Sequence, residues 1–226
     1  NYRPQFLLLS SDPKHDVGII AVAEKLKKTR GLFLVGRVII GDFHDDATFR
    51  LMEKARKDVV QHGNDIIAIL QVVCAPTLLS GIESLLQIAG FGKLKPNTIL
   101  FGFKESWKES SDRELYEYVS IIRSCFMTEH SVCIFRNQHV PLMYTPENEI
   151  IVPSKEHIGG NIDIWWLIED GGLVFLLSYL LCRHREYKND KTKLRLFALV
   201  SASASKQDLD DEKIRLQSLL NRFRFQ

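Results

Sequence analysis

The sequence lacks the patterns that would assign it a chemistry. No CxxC pair occurs among its four cysteines, Cys74, Cys125, Cys133 and Cys182, and most of them lie within apolar runs. They read as buried, reduced thiols suited to a reducing compartment, not as a disulfide framework or a thiolate metal site. No HxxxH or HExxH spacing links its seven histidines, so no helical face presents two imidazoles to a metal. A GxSxG elbow is absent, as is a GxxxxGK[ST] loop. The longest apolar stretch, GGLVFLLSYLLC over 171–182, falls short of the ~20 residues a membrane-spanning helix requires. It is closed by Asp170 and Arg183 and reads as a buried helix. Charge of one sign is also missing: 30 Lys and Arg face 28 Asp and Glu, a net of +2. That balance does not point to a nucleic-acid partner. The opening, Asn1-Tyr2-Arg3-Pro4, has neither a methionine nor a secretory leader, and it suggests a piece of a longer chain.

What is present is a repeated alternation. Apolar runs of strand length are predicted at Gln5–Ser10, Leu32–Ile40, Asp65–Val73, Thr98–Phe103 and Ser131–Arg136. Between them lie segments of helical spacing. The first, 16–29, groups Ile19, Ile20, Ala23 and Leu26 on one face and is expected to end at Gly31. A second is capped by Asp45 or Asp46 and runs to about Gln61. A third starts at Thr77 or Ser80 and stops at Gly90. A fourth opens with the capping box Ser111/Glu114 and runs through about Phe126. Gly36 marks a bulge or a point of close packing. Strands apolar on both faces and separated by helices predict a mainly parallel sheet with right-handed crossovers, an α/β fold.

Between Asn137 and Gly160 the pattern lapses into prolines and polar residues. The reading is a first α/β half over 1–137, a linker over 138–160, and the start of an incomplete second α/β half over 161–226. That second part has strands at 161–168 and 194–201 and helices at 171–184 and 208–222.

Candidate sites are few. Gly90-Phe91-Gly92-Lys93 follows a helix and reads as its cap and turn. Ser10, Ser11, Asp12 and Lys14 join the first strand to the first helix, where helix amides and a lysine could hold an anion. Gly41 and Gly102 end other strands and could line the same crevice, so these six are the nucleotide-binding candidates. The alternative is a plain capping turn. Glu169-Asp170 suits capping better than catalysis. Trp165 and Trp166, adjacent on a strand, point to opposite faces; they read as core anchors for helices on both sides, or as interface candidates. The cations Arg183, Arg185, Lys188, Lys191 and Lys193 read as a solvated helix end. No catalytic residue, metal ligand or cofactor is expected.

Several stretches together carry a resemblance: NYRPQFL at 1–7, GIESLLQIAGFGKLKPNTILFGFKESW at 81–107, IDIWWLIEDGGL at 162–173, Phe135-Arg136, and LLNRFRF at 219–225. The chain resembles the C-terminal cytosolic region of cation–chloride cotransporters, and its wording lies closer to the sodium-coupled branch. The resemblance implies a universal-stress-protein-like fold in two linked halves, on the cytoplasmic face of a membrane. It further implies a non-catalytic role in regulation and dimerisation for a transporter moving chloride with potassium, sodium or both, in processes such as cell volume regulation. The implied partners are the protein's own transmembrane domain, a second copy and regulatory kinases. Some stress-protein relatives bind adenine nucleotides, which implies the same ligand near Ser10 and Lys14. The connection between Arg136 and Asn161 is short beside the phosphorylatable insertions of sodium-coupled relatives. The competing reading is a free-standing nucleotide-binding module.

Overall fold

A computed structural model describes residues 2–11, 16–27, 31–57, 60–62, 65–136, 160–167, 172–184, 187 and 192–222. They divide into two compact units, 1–152 and 153–226. The expected linker, 138–160, lies outside the described residues except for Gly160, which opens a strand.

The first unit runs β1 (Phe6–Leu9), α1 (Val17–Leu26), β2 (Phe33–Ile40), α2 (Asp46–Lys57), β3 (Val60–His62), β4 (Asp65–Ala75), α3 (Leu78–Ile88), β5 (Thr98–Gly102), α4 (Asp112–Met127) and β6 (Ser131–Phe135), with a short 3-10 turn at Glu105–Lys108. The strands form one sheet in the order β3-β4-β2-β1-β5-β6. All pairs are parallel except β3 with β4. This is the expected α/β architecture. The sheet grows from β1 to β2 and β4, then returns to the other side of β1 for β5 and β6. Right-handed crossovers therefore put α1 and α2 on one face and α3 and α4 on the other.

Alternation along the strands divides the core between those faces. Leu7, Leu34, Ile99 and Phe101 pack with Ile82, Leu85 and Leu86 of α3 and with Ile121 and Cys125 of α4. Their neighbours Phe6, Leu8, Phe33, Val35 and Leu100 point the other way and are equally buried. Gly36 is a close-packing point and not a bulge. Its register with β1 and β4 is continuous, and a Cβ there would lie 2.8 Å from Leu85 Cδ1.

Local chemistry sets the helix starts. Thr77 and Ser80 cap α3 reciprocally, and Ser111 with Glu114 does the same for α4. Asp45 caps α2, its carboxylate accepting from both the amide and the hydroxyl of Thr48 at 2.9 Å. These bonds hold its pKa below the usual value. After α3, Gly90 adopts φ 109°, and a Cβ would strike the Leu94 carbonyl at 2.5 Å. The Gly90–Lys93 segment is the expected turn, closed by paired backbone bonds between Phe91 and Leu94.

The second unit runs β7 (Gly160–Trp166), α5 (Leu173–Arg183), β8 (Thr192–Ala198) and α6 (Lys206–Arg222). Its two strands are parallel, Trp165 opposite Phe197 and Ile164 opposite Leu196. Ile164, Trp166 and Phe175 form its core with Leu194, Leu196 and leucines of α6.

Candidate functional site

The first sheet reverses its direction of growth at β1, so β1 and β5 leave a crevice at their carboxyl ends, the usual ligand position of such sheets. Ser10 follows β1 and Gly102 ends β5. Gly41 follows β2, the other neighbour of β1. The structure thus brings three of the six candidate residues to one edge. Ser11 is exposed beside Ser10, while Asp12 and Lys14 lie outside the described residues.

The local chemistry there is mostly internal. Ser10 is buried, and its amide donates to the Gly36 carbonyl at 3.0 Å. Its hydroxyl donates to the carboxylate of Asp16, which begins α1 without capping its own helix. A carboxylate thus stands where the first helix could have offered amides to an anion. The Gly41 amide donates to Ala75, and a Cβ on Gly41 would fall 2.5 Å from Thr48 Oγ1. Gly41 is a close-approach point for α2. Of the two candidate glycines, Gly102 is the one that faces open space. Its carbonyl accepts from the Tyr118 hydroxyl at 3.3 Å, and burial raises the pKa of that phenol. Beyond it, Arg136 pairs with Glu105 at 3.3 Å and lies over the Phe103 ring at 4.8 Å.

No group of three or more potential metal ligands occurs among the described residues. The side chains of His44, His130 and His184 belong to the described set; those of His15, His62, His139 and His157 do not. His130 joins the end of α4 to β6, its Nδ1 2.8 Å from Thr128 Oγ1, and burial lowers its pKa. Burial pushes the thiols of Cys125 and Cys133 up to about 11, which keeps them protonated and unreactive at neutral pH. Glu169, Asp170, Arg185, Lys188 and Lys191 lie outside the described residues.

On β7 the two tryptophans diverge as strand geometry demands. Trp166 is 7% exposed and packs on Phe175 with ring centroids 4.8 Å apart. Trp165 is 59% exposed and stacks on Phe197 at 4.6 Å. Next to that stack Arg195 forks onto Asp163 at 2.7 and 2.8 Å. Trp166 is thus a core anchor, whereas Trp165 has no helix over it among the described residues. Sequence reasoning missed one hollow of about 380 Å³ after β8, lined by Leu199, Ser201, Ser203, Asp208 and Arg215 among others. Its polar groups are largely paired internally, Asp208 with Ser205 and Arg215 with Glu212. The serine-rich run SASAS at 201–205 was the signal available for it.

The family model for solute carrier family 12 matches residues 17–142 and 143–226. The chain is 29% identical over 238 aligned residues to solute carrier family 12 member 3 of Mus musculus, covering 99% of this chain and 23% of that protein. The Homo sapiens counterpart is 28% identical over 255 residues, covering 99% and 24%. The chain therefore spans about a quarter of the length of the curated relatives it matches. In fold it is similar to the cytoplasmic domain of a prokaryotic cation chloride cotransporter, with a TM-score of 0.57 and 17% identity, over 97% of this chain and 74% of that one.

Proposed function

Because this chain belongs to solute carrier family 12, we propose that it is the cytosolic regulatory and dimerisation domain of an electroneutral cation–chloride cotransporter, one that carries chloride with potassium, sodium or both. The observation that carries the reading is the family match across both units. The fold supports it, since the structural neighbour is the cytoplasmic domain of such a transporter. At the carboxyl edge the described polar groups are bonded to one another, the Ser10 hydroxyl to the Asp16 carboxylate and the Tyr118 hydroxyl to the Gly102 carbonyl. No described helix is long and apolar enough to cross a membrane. On this reading the ions bind in a membrane half encoded elsewhere in the same protein, and regulatory kinases act on the whole protein.

The test is to express the full-length parent with and without residues 1–226. Oligomeric state is read by cross-linking in the membrane and transport by chloride-dependent tracer uptake. The reading predicts that deletion weakens the dimer and changes the rate or its regulation. A deletion that alters neither would remove the regulatory and dimerisation role.

A second reading, an adenine-nucleotide site at Ser10, Ser11, Asp12, Lys14, Gly41 and Gly102, is favoured by the position of Ser10 and Gly102 at the turning point of the sheet. The Asp16 carboxylate on Ser10 works against it. Millimolar ATP or ADP raises the melting temperature if that site is real, by mass action. No rise would remove it.

A further inference from the structure

The helix α4 has two faces, and the first sheet uses one of them. Ile121 and Cys125 enter the core, and Tyr118 packs edge-on against Phe101. The polar residues on the flank are committed to α3. The Glu117 carboxylate accepts from the Leu79 amide at 3.2 Å, and the Ser124 hydroxyl donates to Glu83 at 2.9 Å. The opposite face carries Tyr116, Val119, Arg123 and Phe126, at the alternating three- and four-residue spacing of a coiled-coil seam, with Ser120 and Met127 beside them. Tyr116, Val119, Phe126 and Met127 are 51–83% exposed, where a surface helix ordinarily carries charge. Arg123 is exposed as well, and no described residue pairs with it.

This stripe is self-complementary. Laid antiparallel on a second copy about a two-fold axis, with Val119 and Ser120 at the crossing, α4 brings Tyr116 level with the partner's Arg123 and Arg123 level with the partner's Tyr116. The two cation–π contacts give each arginine a partner. Small side chains at the crossing let the two backbones approach. Met127 reaches the partner's Arg113, whose aliphatic stem can cover it. A lipid surface fits less well. Asp112, Arg113 and Arg123 are the charges of the stripe, against the ~4–8 clustered cations of an anionic-lipid site. The seam is ~23 Å long and one helix wide, smaller than the ~800 Å² per partner of a standard interface. It therefore needs two copies held close in one membrane, which raises their effective concentration.

Resting on the dimerisation role proposed above, we infer that the outer face of α4 is a self-association seam on which a second copy of this chain docks antiparallel, Tyr116 over the partner's Arg123.

The experiment uses the full-length parent in its membrane and a short thiol-to-thiol cross-linker. Ser120→Cys is the probe at the crossing, and Ala47→Cys, exposed on α2 across the sheet, is the control. The parent without either cysteine sets the background. The expected result is a dimer-sized product with Ser120→Cys and none with Ala47→Cys. Adding Tyr116→Arg to the probe sets arginine against arginine and lowers the product roughly tenfold. Adding Arg123→Glu as well restores it, because each arginine then meets a carboxylate. These positions are on the surface, so the fold tolerates the changes. A product indifferent to Tyr116→Arg overturns the inference, as does a loss that Arg123→Glu fails to repair. A product from Ser120→Cys with a protein of another size overturns it too, since the seam then serves a different partner. An amine-reactive cross-linker separates the two layers of the claim. A parent that stays monomeric removes the dimerisation role and the seam together, whereas a dimer that gives no product at Ser120→Cys removes the seam alone.

Discussion

At the scale of single residues, space and burial decide most outcomes. Gly81 lies in the first turn of α3, against β2, and a Cβ there would lie 2.3 Å from Val38 Cγ1. Val38 is β-branched and has little rotamer freedom to yield. Gly81→Ala is expected to cost ~1–3 kcal/mol, read as a shift of the urea midpoint. Gly102→Ala meets nothing within 4 Å and is expected to stay within ~0.5 kcal/mol by the same measurement. His130 supplies a pH dependence. Burial lowers its pKa from the ordinary 6.5, so the unfolded chain takes up the proton first as the pH falls. Its contribution to stability is therefore complete above pH 6.5 and declines below that value until the folded pKa is passed. Urea midpoints at stepped pH check this: in His130→Gln the slope between neutral pH and the range just below 6 is shallower. The buried thiol of Cys125 and the partly buried one of Cys133, both raised to about 11, are expected to resist alkylation in the folded protein at neutral pH and to react once it is unfolded.

At the scale of elements, the signals that could be read were those with a local cause. The Ser111/Glu114 box is local in sequence and starts α4 where expected. Ser111→Ala is expected to cost ~1 kcal/mol. The long apolar strands were legible because burial on both faces leaves no polar alternation to misread. β3 was not: Val60–His62 is three residues long and pairs antiparallel to β4, too short to show a period, and it read as the tail of α2. The helix α1 stops at Leu26, ahead of the expected Thr29, because Lys27 turns to an extended backbone with ψ 125°. Gly36 was ambiguous between bulge and close packing until α3 was seen to lie on it. The acidic partner of Ser10 was illegible for a different reason. Asp16 is six residues away, and only the start of α1 brings it back onto the hydroxyl. β7 offers a contrast within one strand. Trp166→Ala is expected to cost ~3–5 kcal/mol, since the ring fills the core against Phe175. Trp165→Ala costs less, because its ring is 59% exposed and loses mainly the stack on Phe197.

At the scale of the whole molecule, the two units and the two family segments agree in number and order. The family was legible from motifs scattered over nearly the entire chain, and the structure brings two of them together: Tyr2, Arg3 and Gln5 bond to Asn97 and Thr98 at the amino-terminal ends of β1 and β5. Among the described residues the carboxyl edge of the first sheet carries the Ser10–Asp16 bond and the Arg136–Glu105 pair. The exposed Trp165 and Phe197 face belongs to the second unit and carries the fork between Asp163 and Arg195, in which the Arg195 bond lowers the Asp163 pKa. That fork is retained above the ordinary carboxylate range and is lost as the pH falls through the depressed value.

The central claim is that this chain serves a chloride-coupled transporter. The most direct measurement is tracer cation uptake by the full-length parent in cells, with external chloride present or replaced by an impermeant anion. The account predicts uptake that falls to background when chloride is replaced. Uptake indifferent to chloride would contradict it.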